Sequence, residues 1–209
     1  MNEEFTKTWT NVHVPPAVGD EGQALGVYQH ADYVLNENKH VVDTYSGKAY
    51  EFEPVTPFEW GYEHLEWEPL DIKLIAQQIA DGKIVGWFQD KSESGNRALG
   101  NRSILADPRN PDIKEIINST IKMREDFRPF APAVLEEHYQ EYFDTNQPSP
   151  YMSRIMPVIS DKIPGVTHVD GTARIQTVNR KQNEKYYDVI NEFYKITGIP
   201  MLLNTSFNS

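Results

Sequence analysis

The stretch Lys91 to Arg109, KSESGNRALGNRSILADPR, sets three cations, Lys91, Arg97 and Arg102, beside Gly95 and Gly100 and the neutral donors Asn101 and Ser103. Glycine lets a backbone turn closely around a ligand, and the planar arginine fork matches phosphate and carboxylate. With amide and hydroxyl donors added, the segment is built like an anion cradle for a phosphate or nucleotide. It is not a Walker A loop, because Gly-Lys-Ser/Thr is absent. A structural polar loop is the alternative. Arg124 and Arg128 in MREDFRPF and Arg154 in YMSRIMPV are further candidates for nucleotide phosphates, or else members of ordinary ion pairs. VTHVDGTARIQ gathers His168, Asp170 and Arg174 around Gly171. Alternation on an extended chain would send His168 and Asp170 to one side, to bind a nucleotide or move a proton, or to form a structural pair. Asn204 and Ser206 follow an apolar run, where open α/β sheets place ligands and where a simple turn would also fit. The six histidines show no paired metal-ligand spacing.

These groups need elements to hold them. Ile72, Ile75 and Ile79 after Pro69, with Gly82 beyond, predict a helix over 69–81. Lys83 to Gln89 is an apolar run expected as a strand buried on both faces. Ile113, Ile116, Ile117 and Ile121 predict an amphipathic helix over 112–123. Residues 124–133, with two prolines, are expected as an irregular or edge strand, 134–142 as a short helix, and 150–159 and 172–178 as strands. Tyr187, Ile190, Asn191 and Tyr194 predict a helix over 183–197 closed by Gly198, and Met201–Asn204 a short buried strand. Upstream, Val12–Val14 suits a short strand, and Asp20 is placed to cap a helix running through Tyr33. Alternating helices and strands imply an α/β (α+β) domain with a mixed sheet.

The 209 residues hold no cysteine, which excludes disulfides and thiolate chemistry, and no apolar run reaches the roughly 20 residues of a membrane span. No leader-like start is visible, so a cytoplasmic setting is expected. The net charge of −11 is unevenly spread. Residues 1–90 carry 5 lysines against 16 acidic residues, whereas 91–209 carry 15 basic and 15 acidic residues, including all 8 arginines. Such a chain is a poor nucleic-acid binder, since phosphate neutralisation needs a basic surface. Its local arginines suit a small anionic ligand.

GWFQDKSESGNRALGNRSILADPR, FRPFAPAVLEE, VTHVDGTARIQTV and MLLNTSFN, in that order, resemble the C-terminal region of the NodU-type O-carbamoyltransferases, and NVHVPPAVGDEGQALG resembles the end of that family's N-terminal domain. The resemblance implies a YrdC-like twisted mixed sheet with flanking helices over 69–209, truncated at its C-terminus. It further implies, over 1–35, the remnant of an actin-like carbamoyl-transfer domain; residues 36–68, polar, acidic and aromatic with no sustained period, read by composition as a linker or loosely attached arm. The implied chemistry is hydrolysis of carbamoyl phosphate to carbamate, conversion of carbamate by ATP with Mg to carbamoyl-adenylate, and transfer to a hydroxyl acceptor such as a sugar or natural product. Under it Lys91, Arg97 and Arg102 bind phosphate, Asn101 and Ser103 position the reacting oxygens, Arg124, Arg128 and Arg154 serve ATP, His168, Asp170 and Arg174 line the adenylate pocket, and Asn204 and Ser206 close it. Asp20 looks like an iron ligand whose partners lie in the missing N-terminal domain. Asp90 stands where the family usually has Gly, and Asn96 where it often has Pro; a carboxylate beside an anion cradle weakens it unless it turns away. A threonylcarbamoyl-adenylate synthase-like enzyme and a non-catalytic nucleotide-binding module are the alternatives.

Overall fold

The computed structural model describes residues 19–39, 43–50 and 68–208, together with Trp9, Val14, Pro15 and Ala17. The strand expected from Val12 and His13, and residues 51–67 of the expected linker, lie outside the described residues. A 3-10 turn, Asp20–Gly22, leads into α1, Gln23–Asn36, which runs beyond Tyr33 and buries none of its residues. Asp20 does not cap it: Gly22 holds the N-cap position and the Asp20 carboxylate accepts from the Gln23 side chain. Helix α2, Ile72–Ala80, starts three residues later than the Pro69 signal implied, because Asp71 accepts from the N–H groups of Lys73 and Leu74 and so satisfies two free donors of the first turn. Helix α3, Ile113–Ile117, widens into a π turn, Asn118–Lys122, that ends at Met123 in the left-handed region. Helix α4, Glu184–Thr197, is capped by Asn183, which accepts from the Tyr186 N–H. Its buried residues are Tyr186, Val189, Ile190 and Phe193, one position off the face that Tyr187, Asn191 and Tyr194 suggested.

The strands in chain order are β1 Val85–Phe88, β2 Arg102–Ala106, β3 Ala131–Leu135, β4 Ile155–Pro157, β5 Thr172–Arg174, β6 Gln176–Val178 and β7 Met201–Ser206. Five form a mixed sheet in the order β1-β2-β7-β3-β6, antiparallel except for β3–β6, and β4 pairs with β5 separately. This is the mixed α/β architecture with flanking helices that the alternating elements imply. Leu105, Ala133, Val134, Met201 and Leu203 from the sheet share one core with Ala76, Ile79, Ile113, Ile190 and Phe193 from the helices.

Four expectations need correction. β1 lies at the sheet edge and buries only Trp87, leaving Phe88 exposed, so it is not enclosed on both faces. β3 is an interior strand and wholly buried despite Pro132. The proline is tolerated because parallel pairing with β6 begins only at Ala133, so no ladder bond on that side requires its missing N–H. Residues 134–142 end β3 and then form only a single 3-10 turn, Tyr139–Glu141. The strand expected over 172–178 divides at Ile175 between two sheets.

Candidate functional site: an arginine-lined pocket

Beside β7, a pocket of about 260 Å³ is lined by Arg97 from the loop before β2, Arg124 and Arg128 from the segment before β3, and Arg174 at the end of β5. Asn96, Asn204, Thr205 and Ser206 add polar groups, and no carboxylate lines it. The sheet order explains the convergence: β7 runs between β2 and β3, so its polar C-terminal end meets the segments that enter both neighbours.

The arginines are held with little neutralisation. Arg174 Nε is buried and lacks a hydrogen-bond partner. Burial, and then the charge of Arg97, holds the Arg174 guanidinium below its usual value. Arg124 Nε donates to Asn118 Oδ1 at 2.7 Å, and its guanidinium lies 5.0 Å from the centre of the Phe130 ring. Burial and the neighbouring Arg128 push it down as well. Lys122, buried at the end of the π turn, donates to the carbonyl and hydroxyl oxygens of Ser206 at 2.6 and 3.2 Å, and also to Asn208. Its ammonium is lowered first by burial, then by Arg124 and Arg128. Asn204 Nδ2 donates to Ala98 O at 3.0 Å and to Gln176 Oε1 at 3.2 Å, tying β7 to the Arg97 loop, while its Oδ1 is buried without a partner. An orphaned buried Nε–H on Arg174 among clustered cations fits an oxyanion ligand, whereas the Asn204 Oδ1 is an acceptor and calls for a donor.

Arg97, Arg124, Arg128, Arg174, Asn204 and Ser206 are thus brought together. The other sequence candidates are placed elsewhere. Arg102 folds back, donating to the carbonyls of Gln89, Asn101, Asp90 and Lys48 and lying 3.6 Å over the Phe88 ring. Asn101 is buried, its Oδ1 accepting from Gln89 and Asn183 at 2.7 Å each. Ser103 is fully buried and its hydroxyl accepts from the Gly100 N–H. Lys91 faces a separate open cavity with Asp43, Tyr45 and Asn183. Arg154 is buried and donates to Gln147 O and Thr145 Oγ1. His168 and Asp170 line a neighbouring cavity with Lys114 and Phe127, joined to the arginine pocket only through Pro129. His168 Nδ1 lies 3.1 Å from Thr172 Oγ1, and Asp170 accepts from the same hydroxyl and from Thr172 N–H. Burial lowers the His168 imidazole, partly offset by Asp170, while hydrogen bonds from Thr172 lower the Asp170 carboxyl.

Asp90 answers the question its position raised. Its φ of 41° lies in the left-handed region that suits glycine, and its carboxylate turns to Lys185 at 2.8 Å, outside the arginine pocket. Two residues that hold the pocket's surroundings in place escaped the sequence argument. Glu93 Oε1 accepts from the N–H groups of Leu99 and Asn101 at 2.6 and 2.9 Å, closing the Arg97 loop from within. Lys122 was hidden in a helix pattern, and its only signal is a cation one residue from an inward-facing Ile121.

The pocket offers no chain carboxylate to magnesium, so Mg would arrive on the phosphates of a nucleotide. Asp20 stands without companions: among the described residues no group of three His, Cys, Asp or Glu is placed to hold a metal ion, so these residues alone do not build an iron site. No helix among them is long and apolar enough to cross a membrane.

Residues 76–209 match the family model described as Carbamoyltransferase C-terminus. Nodulation protein NolNO of Sinorhizobium fredii is 45% identical over 95% of this chain and 31% of its own length. Nodulation protein NolO of Bradyrhizobium diazoefficiens is 42% identical over 98% of this chain and 40% of its own. Nodulation protein U of Sinorhizobium fredii is 39% identical, over 97% and 36%. The chain therefore spans between about a third and two fifths of the curated relatives it matches. A solved structure, full-length HypF in the phosphate- and nucleotide-bound form, aligns with 68% of this chain and 18% of its own at TM-score 0.44 and 15% identity, a likeness too distant to assign anything to this chain.

Proposed function

The chain belongs to the carbamoyltransferase C-terminal family, and on that premise we propose that its arginine pocket binds the phosphates of carbamoyl phosphate and ATP and makes carbamoyl-adenylate. The observation that carries this reading is the set of four arginines around one small pocket, with no facing carboxylate and a buried, partnerless Nε on Arg174. Guanidinium groups held unneutralised in a partly desolvated site keep their attraction for an incoming polyanion, each charge-assisted bond contributing about 1.5–3 kcal/mol.

In the proposed sequence, water cleaves carbamoyl phosphate to carbamate and phosphate. A carbamate oxygen then attacks the α-phosphorus of ATP, forming the new P–O bond as pyrophosphate leaves. Charge is already spread over phosphoryl oxygens in such transfers, so positioning and electrostatic stabilisation by fixed donors is the main contribution a protein makes. Arg97, Arg124, Arg128 and Arg174 would neutralise phosphates, and Asn204 and Ser206 would orient oxygens. Lys91, Asn101, Arg102 and Ser103 would act through the shape of the loop. His168 and Asp170, across Pro129, would reach only a ligand that extends beyond the arginines. Transfer of the carbamoyl group to a hydroxyl of a sugar or natural product belongs, on this reading, to the longer protein, together with any iron-bearing N-terminal domain.

Purified chain given ATP, Mg²⁺ and carbamoyl phosphate is expected to release pyrophosphate, and Arg97→Ala to lose that release. Threonine with bicarbonate in place of carbamoyl phosphate is expected to give none. Absence of heat on titrating either ATP or carbamoyl phosphate into the chain would refute the assignment, and binding without pyrophosphate would reduce it to a nucleotide-binding module.

A further inference from the structure

Residues 43–50 come from the region that composition marks as a loose arm, yet they lie along the Arg97 loop in a strand-like exchange. Ser94 N–H donates to Thr44 O at 2.8 Å, Gly47 N–H to Ser92 O at 3.0 Å, and Ser92 N–H to Lys48 O at 3.3 Å. The Ser94 hydroxyl adds a bond to Thr44 O at 3.1 Å, and Arg102 reaches Lys48 O. On the far side of Arg97, the Tyr45 hydroxyl donates to Leu99 O at 2.9 Å, and its ring packs with Leu99 and Met152. Gly47 is pressed against the loop: a β-carbon there would lie 1.9 Å from Ser92 Oγ.

Arg97 itself makes no ion pair or hydrogen bond among the described residues, and it is exposed. Its guanidinium is therefore placed by the backbone on either side of it. Those anchors are Ser92 and Ser94 before it, held by residues 44–48, and Ala98 and Leu99 after it, held by Asn204, Gln176 and Tyr45. We infer that residues 43–50 form a strap that sets the shape of the anion loop, with Tyr45 as the positioning residue for Arg97. The strap supplies no group to the pocket; it fixes where one of the pocket's four cations stands. Glu93, Gln176 and Asn204 hold the residues from 98 onward, but the stretch 92–97 before them has its backbone bonds to the strap, so a loop released there samples more conformers and binds more weakly in proportion to the fraction that is competent. This deepens the nucleotide-binding reading and rests on it for the affinity readout.

The test compares the 209-residue chain with Tyr45→Ala, Tyr45→Phe and Gly47→Val, measuring amide hydrogen exchange over 92–102, ATP affinity by calorimetry and the melting temperature. Tyr45→Ala is expected to speed exchange at Ser94 and at 98–101 at least tenfold and to weaken ATP binding at least tenfold, while protection of the core strands and the melting temperature change little. Tyr45→Phe, which keeps the ring, is expected to show about a threefold effect, and Gly47→Val to repeat the Tyr45→Ala pattern should that variant fold poorly. Arg97→Ala is expected to lose ATP affinity with loop exchange unchanged. Unchanged loop exchange in both Tyr45→Ala and Gly47→Val overturns the strap, whether or not the parent chain binds ATP. Faster exchange with undiminished ATP affinity overturns the positioning role. A parent chain that binds no ATP sinks the proposed function instead, and exchange then decides the strap by itself.

Discussion

Arg174→Met separates the stability of the empty pocket from its affinity, and the two are expected to move in opposite directions. In the wild-type chain Arg174 keeps a buried Nε–H without an acceptor and sits in the field of Arg97. A buried donor left unpaired costs about 1–3 kcal/mol, and methionine retains much of the apolar stem while removing both that donor and the like charge. The side chain is only half-buried, so the lower half of that range applies, and the ligand-free variant is expected to gain about 1–2 kcal/mol. For a chain of this size that is about 3–6 °C in melting temperature. Binding runs the other way: a lost bidentate guanidinium–phosphate contact removes about 2–4 kcal/mol, a factor of roughly 30 to 1000 in the dissociation constant. Thermal unfolding with and without saturating ATP, alongside calorimetric titration, reads both quantities. A variant that melts below wild type when empty, or one that binds ATP within threefold of wild type, would refute the view that Arg174 is an unneutralised ligand group.

Other substitutions test the supports of the pocket. Lys122→Met leaves oxygens of Ser206 and Asn208 without their donor and is expected to lower stability by about 2–4 kcal/mol, measured by denaturant unfolding. Gly100→Ala forces a side chain onto φ 105° and places its β-carbon 2.2 Å from the Tyr186 ring, so poor expression or a loss of at least about 3 kcal/mol is expected. Asp90→Gly relieves a left-handed backbone at the loss of a surface ion pair worth about 0.2–1 kcal/mol, so its melting temperature is expected to stay level or rise, with ATP affinity unchanged. His168 gives a pH signature. Burial holds its folded-state pKa below the ordinary 6.5, so the unfolded chain takes up the proton first as pH falls. The corresponding stability is complete above about pH 6.5 and is lost below it. His168→Gln is expected to flatten the fall in melting temperature between pH 7.5 and 5, and a slope equal to wild type would contradict the burial.

Local signals carried well wherever the elements answer to their own sequence. The Gly82 and Gly198 stops and the apolar run at Met201 are short-range features, and each reappears with a shift of a few residues at most. The choice of arginines for the pocket was half legible. Motif spacing could mark Arg97, Arg124, Arg128 and Arg174 as cations in glycine- or proline-rich loops, but it treated Arg102 in the same way. What separates them is the direction of each side chain. Arg102 opens β2 next to edge strand β1, where four carbonyl oxygens and the Phe88 ring absorb its guanidinium.

Composition and motif by themselves determined that this is a cysteine-free chain with its arginines confined to a neutral C-terminal part and built from alternating helices and strands, and they marked the 91–109 loop as a candidate anion site. Tertiary structure alone decided which of those arginines share a pocket, because that depends on β7 entering between β2 and β3, through pairings between residues about seventy and about a hundred positions apart. It also decided that Lys122 turns inward, since one widened turn in α3 rotates the side chains that follow it. The role of residues 43–50 was likewise invisible in sequence. Three of their bonds to the loop are backbone to backbone and most of the rest end on a backbone carbonyl, and a backbone group has no residue type by which it can be recognised.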